Sequence, residues 1–178
     1  NMADQFAEIQ QLLGIDEEVI ALPNVLSAIR TAREDHNIKG IRLRSDFVSA
    51  GWAQSHTIRK ALKTFQSKGK FIYAYGDFFT QKGYFIASVA DSIFLNPVGN
   101  LEFKGLASEV LYYKDFQDKY GFKMEVVRHG KYKSAVEPFL ENEMSAENEY
   151  QISSLLQDLW FTIREEVSAD RGFKTKDL

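Results

Sequence analysis

Apolar residues recur along this chain at two spacings, and the alternation between them predicts its elements. Residues 4–13 carry Phe6, Ile9, Leu12 and Leu13 at helical spacing. Asn24 is placed to cap a helix whose inner face is Val25, Ile29 and Ala32. Residues 39–43 read as a strand, because Ile41 and Leu43 alternate with Arg42 and Arg44. Residues 53–67 return to helical spacing with Ile58, Leu62 and Phe65 inward, and Gly69 stops that helix. A second strand over 70–75 closes at Gly76. A helix follows over 80–90, then a short buried strand over 92–95 that ends before Asn96-Pro97. Further along come a helix over 108–119, a strand over 123–127 with a His129-Gly130 turn, and a long helix over 145–170. Ile152, Leu155, Leu156, Leu159, Ile163 and Val167 form the apolar face of that last helix.

Helices between short strands imply crossover units, hence an α/β fold with a largely parallel sheet. In such sheets, sites collect in the loops beyond the strands' C-terminal ends. Three loops then matter: 45–52, 76–82 and 128–138. Residues 1–23 read as an N-terminal helical segment and 24–178 as one domain. Asn1 reads as a cloning remnant, and the end at Lys174-Thr175-Lys176-Asp177-Leu178 reads as a cut before a further element.

Composition narrows the chemistry. The 178 residues suit one ordinary domain with a real core. With 22 Lys+Arg against 25 Asp+Glu, the net charge of −3 gives no electrostatic footprint for nucleic acid. The absence of cysteine excludes disulfides, thiolate metal sites and a cysteine nucleophile. No run approaches about 18 uninterrupted apolar residues, so no membrane span is expected within the chain. No His or carboxylate cluster has metal-ligand spacing, so neither metal nor cofactor is expected.

The third loop carries the sharpest signal: Arg128-His129-Gly130-Lys131-Tyr132-Lys133-Ser134-Ala135-Val136-Glu137-Pro138-Phe139. Two lysines lie two apart after a glycine turn and before a short apolar helix. One reading is a solvated lysine pair; the other is a lysine kept neutral as a general base. A lysine has a reference pKa near 10.4. Working near pH 8 needs a downward shift of about two units, a cost of about 3 kcal/mol to the charged form. Tyr132, Ala135, Val136 and Phe139 are apolar enough to help dry such an amine.

The stretch from Tyr132 to Phe139 resembles the lysine motif of the signal peptide peptidase A (protease IV) family. These are membrane-anchored serine peptidases with a Ser/Lys dyad and a ClpP/crotonase-like fold. The flanks are collinear with that family. Ile38-Lys39-Gly40-Ile41 resembles the strand following its first helix, and Lys68-Gly69-Lys70-Phe71-Ile72-Tyr73-Ala74-Tyr75-Gly76 the strand to its second loop. The run from Gly83 to Pro97 resembles the segment after the nucleophile, and the likeness covers roughly residues 24–172. The resemblance implies that Lys133 is the catalytic lysine and that Lys131 holds a variable position.

The departures from the family are equally specific. Where serine-bearing halves carry a Ser-Gly-Gly-Tyr-like segment, alignment on Gly83-Tyr84-Phe85 puts Gln81 at the nucleophile position and Lys82 at the first glycine. Thr80 is one position off. Where those halves have a Pro-Gly-Gly-type oxyanion turn, this chain reads Ser45-Asp46-Phe47-Val48-Ser49-Ala50-Gly51-Trp52. This combination resembles the long form of the family, in which the first of two fused halves keeps the lysine and the second supplies the serine.

On that resemblance the chain is the lysine-bearing half of an envelope peptidase on the periplasmic side of the bacterial inner membrane. It is expected to be soluble and inactive alone. Its implied partners are a serine-bearing C-terminal half of the same protein, peptide substrates such as signal peptides, further copies in a homo-oligomer, and a membrane anchor outside this chain. His129, Tyr132, Ser134, Phe78 and Phe79 are the candidates to line the cleft; Ser134 equally suits capping of the helix that follows it. Ser45, Ser49 and Ser88 read better as turn or packing residues than as nucleophiles. His36 and His56 read as surface residues. Leu101, Phe103 and Leu106 are candidates for an interface, and the charge-rich helix over 140–150 for a solvated face. Two rivals are a non-catalytic assembly module of the same fold and a crotonase-like acyl-CoA enzyme. The second lacks paired oxyanion glycines and a phosphate-facing cation cluster.

Overall fold

The computed structural model describes residues 20–122, 124–125 and 134–177. The chain forms two compact units, Asn1–Asn100 and Leu101–Leu178. The expected helix over 4–13 lies outside the described residues, and so does most of the expected strand over 123–127.

The first unit is built on a three-stranded sheet ordered β1-β2-β3, with β1 Gly40–Leu43, β2 Phe71–Phe79 and β3 Ser92–Leu101. β1 and β2 run parallel, with Gly40 opposite Phe71 and Leu43 opposite Ala74. Helix α1 (Leu22–Glu34) precedes β1, α2 (Trp52–Gln66) joins β1 to β2, and α3 (Gln81–Ala87) joins β2 to β3. This is an α/β architecture consistent with the ClpP/crotonase-like fold.

The core follows the two periodicities. Ile72, Ala74 and Phe79 on β2 are wholly buried, as are Leu62 and Phe65 on α2. Phe85, Ile86 and Ala87 bury the inner side of α3. Ile58 on α2 is only half-buried, and the position beside it, Arg59, is the buried one. α2 ends at the Ser67 C-cap, and Gly69 turns the chain at φ +76°, a left-handed conformation that glycine adopts without a Cβ penalty.

Several element boundaries differ from the sequence reading. α1 starts three residues earlier, with Ala21 as N-cap and Pro23 in the first turn, where a missing N–H costs nothing. Asn24 therefore lies inside the helix. β2 runs through Gly76 to Phe79 instead of stopping. A Cβ at Gly76 would lie 2.6 Å from Asp46 Oδ1 and 2.8 Å from the Phe79 ring, so a larger residue there would have to displace both side chains. β3 runs through Pro97 to Leu101. It lies at one side of the sheet, where a proline need not donate to a neighbour. It is also not buried: Phe94 and Val98 are exposed.

The second unit is helical in its described part. α4 (Lys114–Tyr120) ends at Gly121, a C-cap with φ +73°. It is shorter than the expected 108–119 span. A 3-10 turn, Ser134–Val136, leads into α5 (Glu137–Leu140). The long helix α6 (Ala146–Arg171) begins at the Ser145 N-cap, ends at Gly172 and is followed by a 3-10 turn, Thr175–Asp177. The charge-rich stretch over 140–150 is thus two helix ends and a turn, not one helix. Ile163 and Val167 are buried on α6, but Leu155 is 66% exposed, so the apolar face narrows toward the helix start. Phe103 packs against Trp160 with tilted rings and centroids 5.0 Å apart, which places it in packing within this unit.

Candidate functional site

In the first unit, the ends of β1 and β2 bring the first two loops into direct contact. The Ser45 hydroxyl donates to the Gly83 carbonyl at 3.0 Å. Thr80 caps α3 by accepting from the Gly83 N–H at 3.1 Å, and its own hydroxyl and N–H both donate to the Asp46 carbonyl at 3.2 Å. Lys82 sends its ammonium to the Ala50 carbonyl at 2.9 Å. Gly83 packs so tightly that a Cβ there would overlap the Ser45 carbonyl.

These contacts explain what the loops can do. Gln81, which the family resemblance aligns with the nucleophile, is the first residue of α3 and is half-buried. Lys82 ties α3 to the 45–52 loop through Ala50. Ser45 is 5% exposed, and Ser88 is fully buried with its hydroxyl donating to the Phe85 carbonyl at 3.0 Å. Both are therefore packing serines.

Beside them lies a polar cluster formed by residues of β2 and β3 and those just after β1. Asp77 Oδ1 accepts from Asn96 Nδ2 at 2.8 Å and from the Tyr75 hydroxyl at 3.1 Å. Arg44 lies 3.3 Å from Asp46 Oδ2 and 3.8 Å from Asp77 Oδ2. The hydrogen bond from Asn96, then that from Tyr75, then the Arg44 charge hold the Asp77 carboxyl below its ordinary pKa.

The two phenylalanines expected to wall the cleft belong to β2. Phe79 points into the core and is completely buried, so it lines no cleft. Phe78 stacks on Phe47 with centroids 5.5 Å apart, and Phe47 is 78% exposed. The alternation of a strand, which puts neighbours on opposite faces, accounts for the difference.

In the second unit, Lys133, His129, Tyr132 and Lys131 lie outside the described residues. Ser134 opens the 3-10 turn that follows the lysine. From there the motif is firmly held. Glu137 is 2% exposed. Its carboxylate accepts from the Ser145 hydroxyl at 2.6 Å, from Asn148 Nδ2 at 3.0 Å and, at 3.4 Å, from the Ser145 N–H. Ser145 in turn caps α6 by accepting from the Asn148 N–H at 3.2 Å. A carboxylate at a helix N-terminus also meets the positive end of the helix dipole. The carbonyls of Pro138 and Phe139 accept from the Tyr113 N–H at 2.7 Å and Gln117 Nε2 at 2.9 Å. Burial, then the Glu137 charge, raises the pKa of Tyr112.

Glu137 and Arg59 escaped the sequence reading. The signal for Glu137 was present as a carboxylate between Val136 and Pro138, with a Ser-x-x-Asn helix start eight residues on. Among the described residues, no group of three or more His, Asp or Glu could hold a metal ion, and no helix is long and apolar enough to cross a membrane.

Comparison with known proteins accords with this layout. Residues 64–178 match the family described as peptidase family S49. A relative named Protease 4 from Salmonella typhi is 36% identical over 173 residues, which is 95% of this chain and 28% of the relative. A Protease 4 from Haemophilus influenzae is 39% identical over 152 residues, 85% of this chain and 25% of the relative. The chloroplastic serine protease SPPA of Arabidopsis thaliana is 29% identical over 159 residues, 89% of this chain and 24% of the relative. The chain thus spans about a quarter of the length of these relatives. On the family match and on these identities, the chain belongs to peptidase family S49, the signal peptide peptidase A (protease IV) family.

Proposed function

We propose that this chain is the lysine-bearing half of a serine peptidase, with Lys133 as general base for a serine carried by another segment of a longer protein. The observation that carries the reading is the pairing of an intact lysine motif with Gln81 at the aligned nucleophile position and Lys82 at the aligned glycine. The Lys82 bond to Ala50 and the packing of Gly83 on Ser45 support it, since both use the space around α3 for structure.

In this reading the neutral Lys133 amine takes the proton from the serine hydroxyl as its oxygen attacks a peptide carbonyl. The resulting ammonium gives that proton to the leaving amine. Water then cleaves the acyl-enzyme with the same amine as base, which restores serine and lysine. The oxyanion is met by donors outside this chain, because the 45–52 loop carries one glycine and no glycine pair to bring backbone N–H groups onto an oxyanion. Substrates are signal peptides and other hydrophobic segments, and the setting is the bacterial cell envelope, with an anchor outside this chain.

A serine-directed fluorophosphonate tests the division of labour. Reacted with the longer protein and mapped by peptide mass, the label is expected on a serine outside these 178 residues. A label on Ser45, Ser49, Ser88 or Ser134 contradicts the reading.

A further inference from the structure

We propose that Glu137 is a positioning residue for the lysine turn, acting through Ser145 and Asn148 at the start of α6; this rests on the reading of Lys133 as the base. The geometry is specific. Glu137 stands four residues after Lys133 in the sequence. It is nearly inaccessible, and both its carboxylate oxygens are engaged by donors from one helix start.

A buried carboxylate is expensive unless hydrogen-bonded, so this site exists only where the N-terminus of α6 meets α5. The Ser145 hydroxyl serves two partners at once: it donates to Glu137 and accepts from the Asn148 N–H. Asn148 also serves twice, through its backbone N–H and its side-chain amide. The same short helix is held from α4 by Gln117 and from the residue before it by Tyr113. The backbone that begins directly after Lys133 is therefore anchored to a 26-residue helix at one charged point. Loosening that point lets the amine drift relative to a serine it must meet at hydrogen-bond distance. A misplacement of about 1 Å is enough to cost about 100-fold in rate.

The test is steady-state peptide hydrolysis by the longer protein, with rates counted per serine labelled by a fluorophosphonate and unfolding followed by circular dichroism. Glu137→Ala is expected to lower kcat about 100-fold with KM within about twofold. Glu137→Gln, which keeps an acceptor for Asn148 and a donor for Ser145, is expected to recover most of that loss. A Glu137→Ala protein with wild-type kcat overturns the proposal, and so does a Glu137→Gln protein as slow as the alanine variant. If Glu137→Ala does not fold, Asn148→Ala decides. With a wild-type unfolding transition and a kcat lowered several-fold it supports the proposal; with a wild-type kcat it overturns it. Lys133→Ala in the same assay separates the two layers. Activity in that variant removes the base assignment, whereas loss there together with full activity in Glu137→Ala removes only the positioning role.

Discussion

The guanidinium of Arg59 lies 2.5 Å from the Ser88 hydroxyl oxygen, in a part of the first unit where both residues are fully buried. The same Nη1 also donates to the Phe85 carbonyl, and the guanidinium sits over the Phe85 ring at 4.1 Å. Ser88 is the C-cap of α3, so a cation from α2 stands at the negative end of that helix. Arg59 therefore holds the helix that begins at Gln81. Replacing Arg59 with Met removes a donor from buried acceptors and is expected to destabilise the chain by about 2 kcal/mol. Urea unfolding checks this; an unchanged midpoint contradicts it.

Phe78 and Phe79 are adjacent in sequence but face opposite environments. Phe79 is completely buried, and Phe79→Ala is expected to cost about 3–5 kcal/mol. Phe78, stacked on the exposed Phe47, is expected to cost below about 1 kcal/mol when changed to alanine. Equal losses in thermal unfolding would contradict the strand assignment.

Gly83 has no space for a methyl group, because the Ser45 carbonyl occupies it and the Asp46 carbonyl lies 3.1 Å away. Backbone cannot swing aside as a side chain can. Gly83→Ala is expected to destabilise by about 1–3 kcal/mol despite alanine's higher helix propensity. Stabilisation by this change, read as a higher Tm, would refute the packing of the two loops.

Asp77 titrates below the ordinary aspartate range because the folded state hydrogen-bonds its charged form through Asn96 and Tyr75. A depressed folded pKa gives stability that is fully present above the unfolded value. That stability is lost as pH falls from the unfolded value through the folded one. Asn96→Ala is expected to move the Asp77 pKa upward, toward the ordinary value, in a carboxyl NMR titration. No movement would show that Asn96 is not the main cause.

Much of the fold was legible because its periodicities are plain. Leu62 and Phe65 announce the buried face of α2, and Ile41 and Leu43 the edge of the sheet. What was hidden depends on contacts between residues far apart in sequence. Gly76 and Pro97 look like strand ends, yet Asp46 and Phe79 crowd Gly76 within the strand, and a side position in the sheet tolerates Pro97. Arg59 reads as a surface residue of an amphipathic helix until the carbonyl of Phe85 and the hydroxyl of Ser88 are placed beside it. The candidate site divides in the same way. Local sequence offers the stretch from Tyr132 to Phe139 and the Gln81 position as candidates. The carboxylate that anchors the motif became visible only once Ser145 and Asn148 were brought to Glu137.

The most direct test of the proton-carrying role is peptide hydrolysis by the longer protein with Lys133 replaced by Ala. Turnover is expected to fall by about 10²-fold or more, in line with the loss of a general base, while the unfolding transition stays in place. Hydrolysis at close to the wild-type rate would contradict the assignment of that amine to catalysis.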